Sequence, residues 1–147
     1  MSGAVCYNPH LRMELLKDGV IPYENGWFDA ILLFAVLNCI PTNKGQEALI
    51  EEFRRILRPG GILYISDYFL QEDERNIRRY NQYASEYGIY GVFELPDHAV
   101  LRHHELSWIK TLTKEFQLAE LNEINISTMN GNSAKAFQYI GRYGNDL

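Results

Sequence analysis

The side chains best suited to chemistry gather at three places in the sequence. His98, His103, His104 and Glu105 bring potential ligands or proton carriers into one short stretch. Their spacing matches none of the patterns that hold zinc, so no metal centre is expected. The stretch reads as a surface loop. Asp67 and Tyr68 end one apolar run, and Asn38 and Cys39 follow another. Polar groups at strand ends matter because open α/β sheets bind ligands in the crevice outside the carboxyl ends of their strands. No Ser-His-Asp or Cys-His set has a supporting context, and Cys39 reads as a small, unreactive residue.

The elements that position these residues follow from periodicity. Leu11 to Lys17 is expected as a helix with Leu11, Leu15 and Leu16 on one side. Phe28 to Phe34 is apolar almost throughout, as a strand buried on both faces of a parallel sheet would be. Asn43 reads as a cap for a helix over Gln46 to Leu57, which Arg58-Pro59-Gly60-Gly61 breaks before a second strand, Ile62 to Asp67. Strand, helix and strand make a right-handed parallel crossover. Glu72 to Tyr87 is expected as a polar helix with Ile77, Tyr80, Ala84 and Tyr87 along one stripe. Two short extended pieces follow, over Gly88 to Phe93 and Ala99 to His103, then a helix over Ser107 to Phe116. Leu118 to Thr128 and Ala134 to Arg142 are expected to close the chain as an antiparallel hairpin.

Composition bounds the rest. A chain of 147 residues, 46% hydrophobic and 22% charged, has room for one domain over 1–147 with one core. A net charge of -5 excludes a general affinity for nucleic acid. Arg54, Arg55 and Arg58, and the pair Arg78 and Arg79, read as solvated helix faces offset by nearby acids. Cys6 and Cys39 cannot build a disulfide framework and nothing resembles a secretory signal, so a cytoplasmic protein is expected. The apolar run from Phe28 to Cys39 is too short to span a bilayer.

Two segments carry a resemblance. Ile21-Pro22-Tyr23-Glu24-Asn25-Gly26-Trp27-Phe28-Asp29-Ala30-Ile31-Leu32 resembles the LPF-x-D/N-x-S/W-FD-x-V/I segment of class I S-adenosylmethionine-dependent methyltransferases, nearest to the ubiquinone- and menaquinone-biosynthesis type. Leu57-Arg58-Pro59-Gly60-Gly61-Ile62-Leu63 is similar to that family's LRPGG-x-L turn, and the closing hairpin matches its reversed last two strands. The resemblance implies a Rossmann-like α/β sheet, mostly parallel with a C-terminal antiparallel hairpin. It also implies S-adenosylmethionine as cofactor and methyl transfer to a small molecule. On this reading Phe34, Ala35 and Val36 place backbone against the cofactor, Asn38 lies near the methyl-transfer centre, Asp67 and Tyr68 share that rim, and the segment Tyr87 to His103, with Tyr90, Phe93 and His103 beside the substrate mouth, covers the acceptor side. In an alternative alignment Asp18 is the adenine-contacting acid.

The sequence departs from the family pattern in two respects with consequences. No G-x-G-x-G run occurs, although such a loop presents bare backbone N–H groups to the cofactor. Cys6 stands where the ribose-binding acid is expected, and a thiol does not replace a bidentate acceptor. The expectation is therefore an N-terminally truncated sheet, lacking the first strand and glycine-rich loop, with weak or absent cofactor binding by this chain alone. A sheet so shortened leaves Phe28 to Phe34 as an apolar edge, which implies a homodimer or swapped assembly. The alternative is a non-catalytic, methyltransferase-like binding or regulatory subunit; a small dehydrogenase would need the same missing loop.

Overall fold

Residues 8–17 and 19–144 are described by the structure, a computed structural model. Cys6, Asp18 and the expected extended piece Gly3 to Tyr7 lie outside the described residues. The apolar run after the Asn25-Gly26 turn forms β1 (Phe28–Phe34), followed by a single 3₁₀ turn at Leu37–Cys39 and then α1 (Asn43–Ile56). Thr42, rather than Asn43, caps α1: its side chain accepts the Gly45 N–H at 3.1 Å. β2 (Leu57–Tyr68) pairs in parallel with β1, as the crossover requires. Then come α2 (Glu74–Tyr87), the small hairpin β3 (Val92–Glu94) and β4 (Val100–Arg102), and α3 (Leu106–Leu112). The chain ends in β5 (Phe116–Ser127) and β6 (Ser133–Tyr143), an antiparallel pair.

The main sheet runs β1-β2-β6-β5, with β6 inserted antiparallel beside β2. One face is packed. Ile50, Phe53 and Ile56 of α1, with Ile109 and Leu112 of α3, bury Leu33, Leu63, Ile65, Phe137 and Tyr139 in one cluster. The opposite face carries the alternate residues, and there Leu32 and Phe34 are each 62% exposed. The expectation that β1 is buried on both faces is thus corrected. β1 is an edge strand, and no described helix covers its second face.

Two other expectations shift. Leu11 to Lys17 is not helical. Leu11, Leu15 and Leu16 are exposed, so the apolar stripe has nothing to pack against, and packing rather than propensity stabilises short helices. On α2 the buried stripe is rotated, with Asn76 and Tyr80 inside and Ile77 exposed. The arginines of α1 are also not uniformly solvated. Arg55 donates to the Tyr23 carbonyl at 2.8 Å, the Ile21 carbonyl at 2.8 Å and Asn25 Oδ1 at 3.1 Å, fixing the loop that enters β1.

Candidate ligand site at the strand ends

The site begins where β1 and β2 end. The chain leaves β1 through Ala35, which has φ 51°, a left-handed conformation uncommon outside glycine, and donates its N–H to the Ser66 carbonyl at 2.8 Å. Strain of this kind persists where the surroundings over-determine the backbone, and it concentrates at ligand sites. The next residues are held by Asp67. Its Oδ2 accepts the Asn38 N–H at 3.1 Å and its Oδ1 accepts the Tyr68 N–H at 2.8 Å. Burial nevertheless dominates, and the carboxyl is pushed up from 3.8 to about 6.

Below this latch sit two buried histidines. His103 Nδ1 lies 2.5 Å from the Tyr80 hydroxyl, which accepts the Gln71 N–H at 3.1 Å. The phenol and Nδ1 share one hydrogen bond, whose direction is set by the imidazole tautomer. Burial brings His103 down from 6.5 to about 3 and raises Tyr80 from 10.0 to about 12, so both are neutral across the physiological range. His103 is a hydrogen-bonding group here and not a proton abstractor. His104 is brought down to about 4 by burial; its Nδ1 lies 3.1 Å from the Tyr68 carbonyl and its Nε2 2.9 Å from Gln46 Nε2. Gln46 in turn accepts the Trp108 indole N–H at 2.7 Å. Among the described residues no group of three or more His, Cys, Asp or Glu could hold a metal ion, and no helix is long and apolar enough to cross a membrane.

Two hollows flank Tyr68. A niche of about 160 Å³ lies on the uncovered side, against Phe34, Ala35, Ser66 and Ile126. A larger cavity of about 620 Å³ opens between α2, the β3–β4 hairpin and the β5–β6 turn, and Asn38, Phe93, His103 and Met129 help line it. Tyr68 borders both. The structure thus places Phe34 and Ala35 at the niche, and Asn38, Tyr68, Phe93 and His103 at the cavity. Val36 is exposed on the same loop. Asp67 also borders the niche, but it is almost fully buried, its carboxylate turned to backbone N–H groups. Tyr90 faces away, lining a separate hollow of about 300 Å³ beside Trp108, although its ring packs on Tyr80 at 5.2 Å. Sequence reasoning missed Arg75, Arg79 and Tyr80. The signal available was their spacing, since Arg75 and Arg79 stand one helical turn apart beside the Asn76–Tyr80 stripe.

Comparison with known proteins agrees with this architecture. A family model described as a methyltransferase domain matches residues 8–65. A crystal structure of a SAM-dependent methyltransferase from Methanosarcina mazei superposes with a TM-score of 0.82 at 19% identity, covering 90% of this chain and 67% of that one. The chain has a methyltransferase fold. The same fold relates it to the N-methyltransferase NodS from Bradyrhizobium japonicum (TM-score 0.53, 15% identity, 88% of this chain and 58% of that one). It also relates it to the 1,6-didemethyltoxoflavin-N1-methyltransferase of Burkholderia thailandensis (TM-score 0.57, 12% identity, 84% and 47%), whose structure contains 1,6-didemethyltoxoflavin and S-adenosylhomocysteine. No curated protein sequence matches significantly. The chain spans about two thirds of the first of these methyltransferase structures and about half of the other two.

Proposed function

We propose that this chain takes part in S-adenosylmethionine-dependent methyl transfer to a small molecule, of the ubiquinone- and menaquinone-biosynthesis type, in the cytoplasm. In this reading it supplies the acceptor side of the site and one wall of the cofactor side. The observation that carries the reading is the latch from Asp67 to the Phe34–Asn38 loop, which fixes a strained backbone segment beside two hollows divided by Tyr68. When bound, the cofactor supplies an electrophilic methyl on a sulfonium, and alignment in a dry pocket provides most of the acceleration.

The residues present fit the cofactor only in part. The backbone of Phe34, Ala35 and Val36 would border it, and Asp18 remains a candidate for its adenine. The niche at about 160 Å³ is smaller than the roughly 300–1,000 Å³ of ordinary ligand sites, whereas the cavity falls inside that range. Weak binding by this chain alone follows, with the glycine-rich grip furnished from outside this sequence. Calorimetric titration with S-adenosylmethionine tests this: a dissociation constant weaker than about 10 µM, or roughly 7 kcal/mol, is expected, and tighter binding contradicts it.

A second reading rests on the uncovered face. Leu32, Phe34 and Ile62 present adjoining apolar surface on an edge strand and its neighbour. Such surfaces pair with another chain. A second copy of this chain, docked through that face, makes the protein a homodimer and gives the non-catalytic, sheet-lending role its physical basis.

A further inference from the structure

The cavity between α2 and the β3–β4 hairpin has a charge unlike that of the molecule. The chain carries more acids than bases, yet Arg75 and Arg79 are the charged residues among those lining this cavity, with no Asp or Glu beside them. Neither arginine pairs with a carboxylate among the described residues. The neighbouring acids are engaged elsewhere: Asp73 caps α2 through the Asn76 N–H at 3.1 Å, Glu74 pairs with Arg78 at 2.7 Å, and Glu72 pairs with Lys135 at 2.8 Å. Like charges one turn apart on a helix repel, and Asp73, which also caps the helix, is the acid whose field reaches both arginines.

Arg79 is also held in place. Its guanidinium carbon sits 3.6 Å from the centre of the Phe93 ring, a cation–π contact that fixes the head group beside the Tyr80 phenol. Its Nε is buried with no hydrogen-bond partner, and so is Asn76 Oδ1 nearby. An unused donor on a positioned planar fork suits a carboxylate or phosphate, which it binds in two-pronged fashion. The remaining walls include Leu95, Pro96, Leu101 and Met129, an apolar bed for the body of a ligand.

We infer that this cavity takes a small amphipathic oxyanion as methyl acceptor, its anionic end on Arg75 and Arg79 and its apolar body against Phe93 and Met129. The inference rests on the methyl-transfer reading for the word acceptor, but not for the binding itself.

The test titrates the whole chain with 2-naphthoate, 2-naphthyl phosphate and neutral 2-naphthamide, with S-adenosylhomocysteine in parallel. At least one anion is expected to bind tenfold or more tighter than the amide, and the tighter of the two names the head group. Arg79→Gln should abolish that preference. Arg75→Gln, at an exposed position where folding is unaffected, should reduce it at least threefold. Amide binding as tight as both anions, or an unchanged preference in Arg75→Gln, overturns the inference. Anion preference without S-adenosylhomocysteine binding removes the methyl-transfer reading and leaves the oxyanion site standing. The converse result removes the oxyanion site alone.

Discussion

Asp67, at the end of β2, holds the Asn38 backbone N–H beyond the end of β1 at 3.1 Å, joining two strand ends through one buried carboxylate. This contact sets the course of the loop that separates the niche from the cavity. Because burial raises the carboxyl to about 6 from 3.8, the folded state keeps a proton that the unfolded chain has shed. The stability from this group is present below pH 3.8 and is lost as pH rises to 6. The stability difference between the wild type and Asp67→Asn should therefore fall by about 3 kcal/mol from below pH 4 to above pH 6. Urea unfolding of both proteins at several pH values reads it, and a constant difference would count against the burial of this carboxyl.

The histidines act with the opposite sign. His103 and His104 are held near 3 and 4, below their ordinary 6.5, so their contribution is present above pH 6.5 and is lost as pH falls. Between pH 4 and 6 two histidines oppose one carboxylate. The net contribution of the three groups rises with pH, by about 1.4 kcal/mol per unit. Ring-proton shifts of both histidines should stay constant down to about pH 5; a titration near 6.5 would contradict their burial.

Tyr80 joins the hairpin to α2. Tyr80→Phe leaves His103 Nδ1 and the Gln71 N–H without a partner in a buried setting. The expected loss is about 2 kcal/mol in chemical denaturation. A loss under about 0.5 kcal/mol would mean that water or another group replaces the phenol.

The uncovered face makes a separate prediction. The wild-type chain should run as a dimer in size-exclusion chromatography with light scattering at micromolar concentration. Leu32→Lys should turn it to monomer with little change in stability, because Leu32 is exposed. A monomeric wild type would rule out that assembly.

Much of the fold was legible because its signals are local. Phe28 to Phe34 is apolar almost throughout and became β1, and Met129-Asn130-Gly131-Asn132 separates the two strands of the closing hairpin; Arg58-Pro59-Gly60-Gly61 follows the helix end as expected, but lies within β2, which starts at Leu57 and not at Ile62. What stayed hidden depends on partners distant in sequence. Leu11, Leu15 and Leu16 have helical spacing but no surface to meet. Arg55 looked solvated until its bonds to the Ile21 and Tyr23 carbonyls appeared. Arg79 has the same composition signal as Arg78, yet one rests on Phe93 and the other pairs with Glu74. Asp67 lies at the end of β2 as expected, but which way its carboxylate turns depends on the 3₁₀ turn whose Asn38 N–H it accepts.

The central claim is that the Phe34–Asn38 loop faces the cofactor. Backbone amide NMR during titration with S-adenosylhomocysteine addresses it directly. Shifts concentrated at Phe34 to Asn38 and at Ser66 to Tyr68, saturating only at high ligand concentration, are the predicted result. An absence of shifts there at millimolar ligand, or shifts centred on another surface, would contradict it.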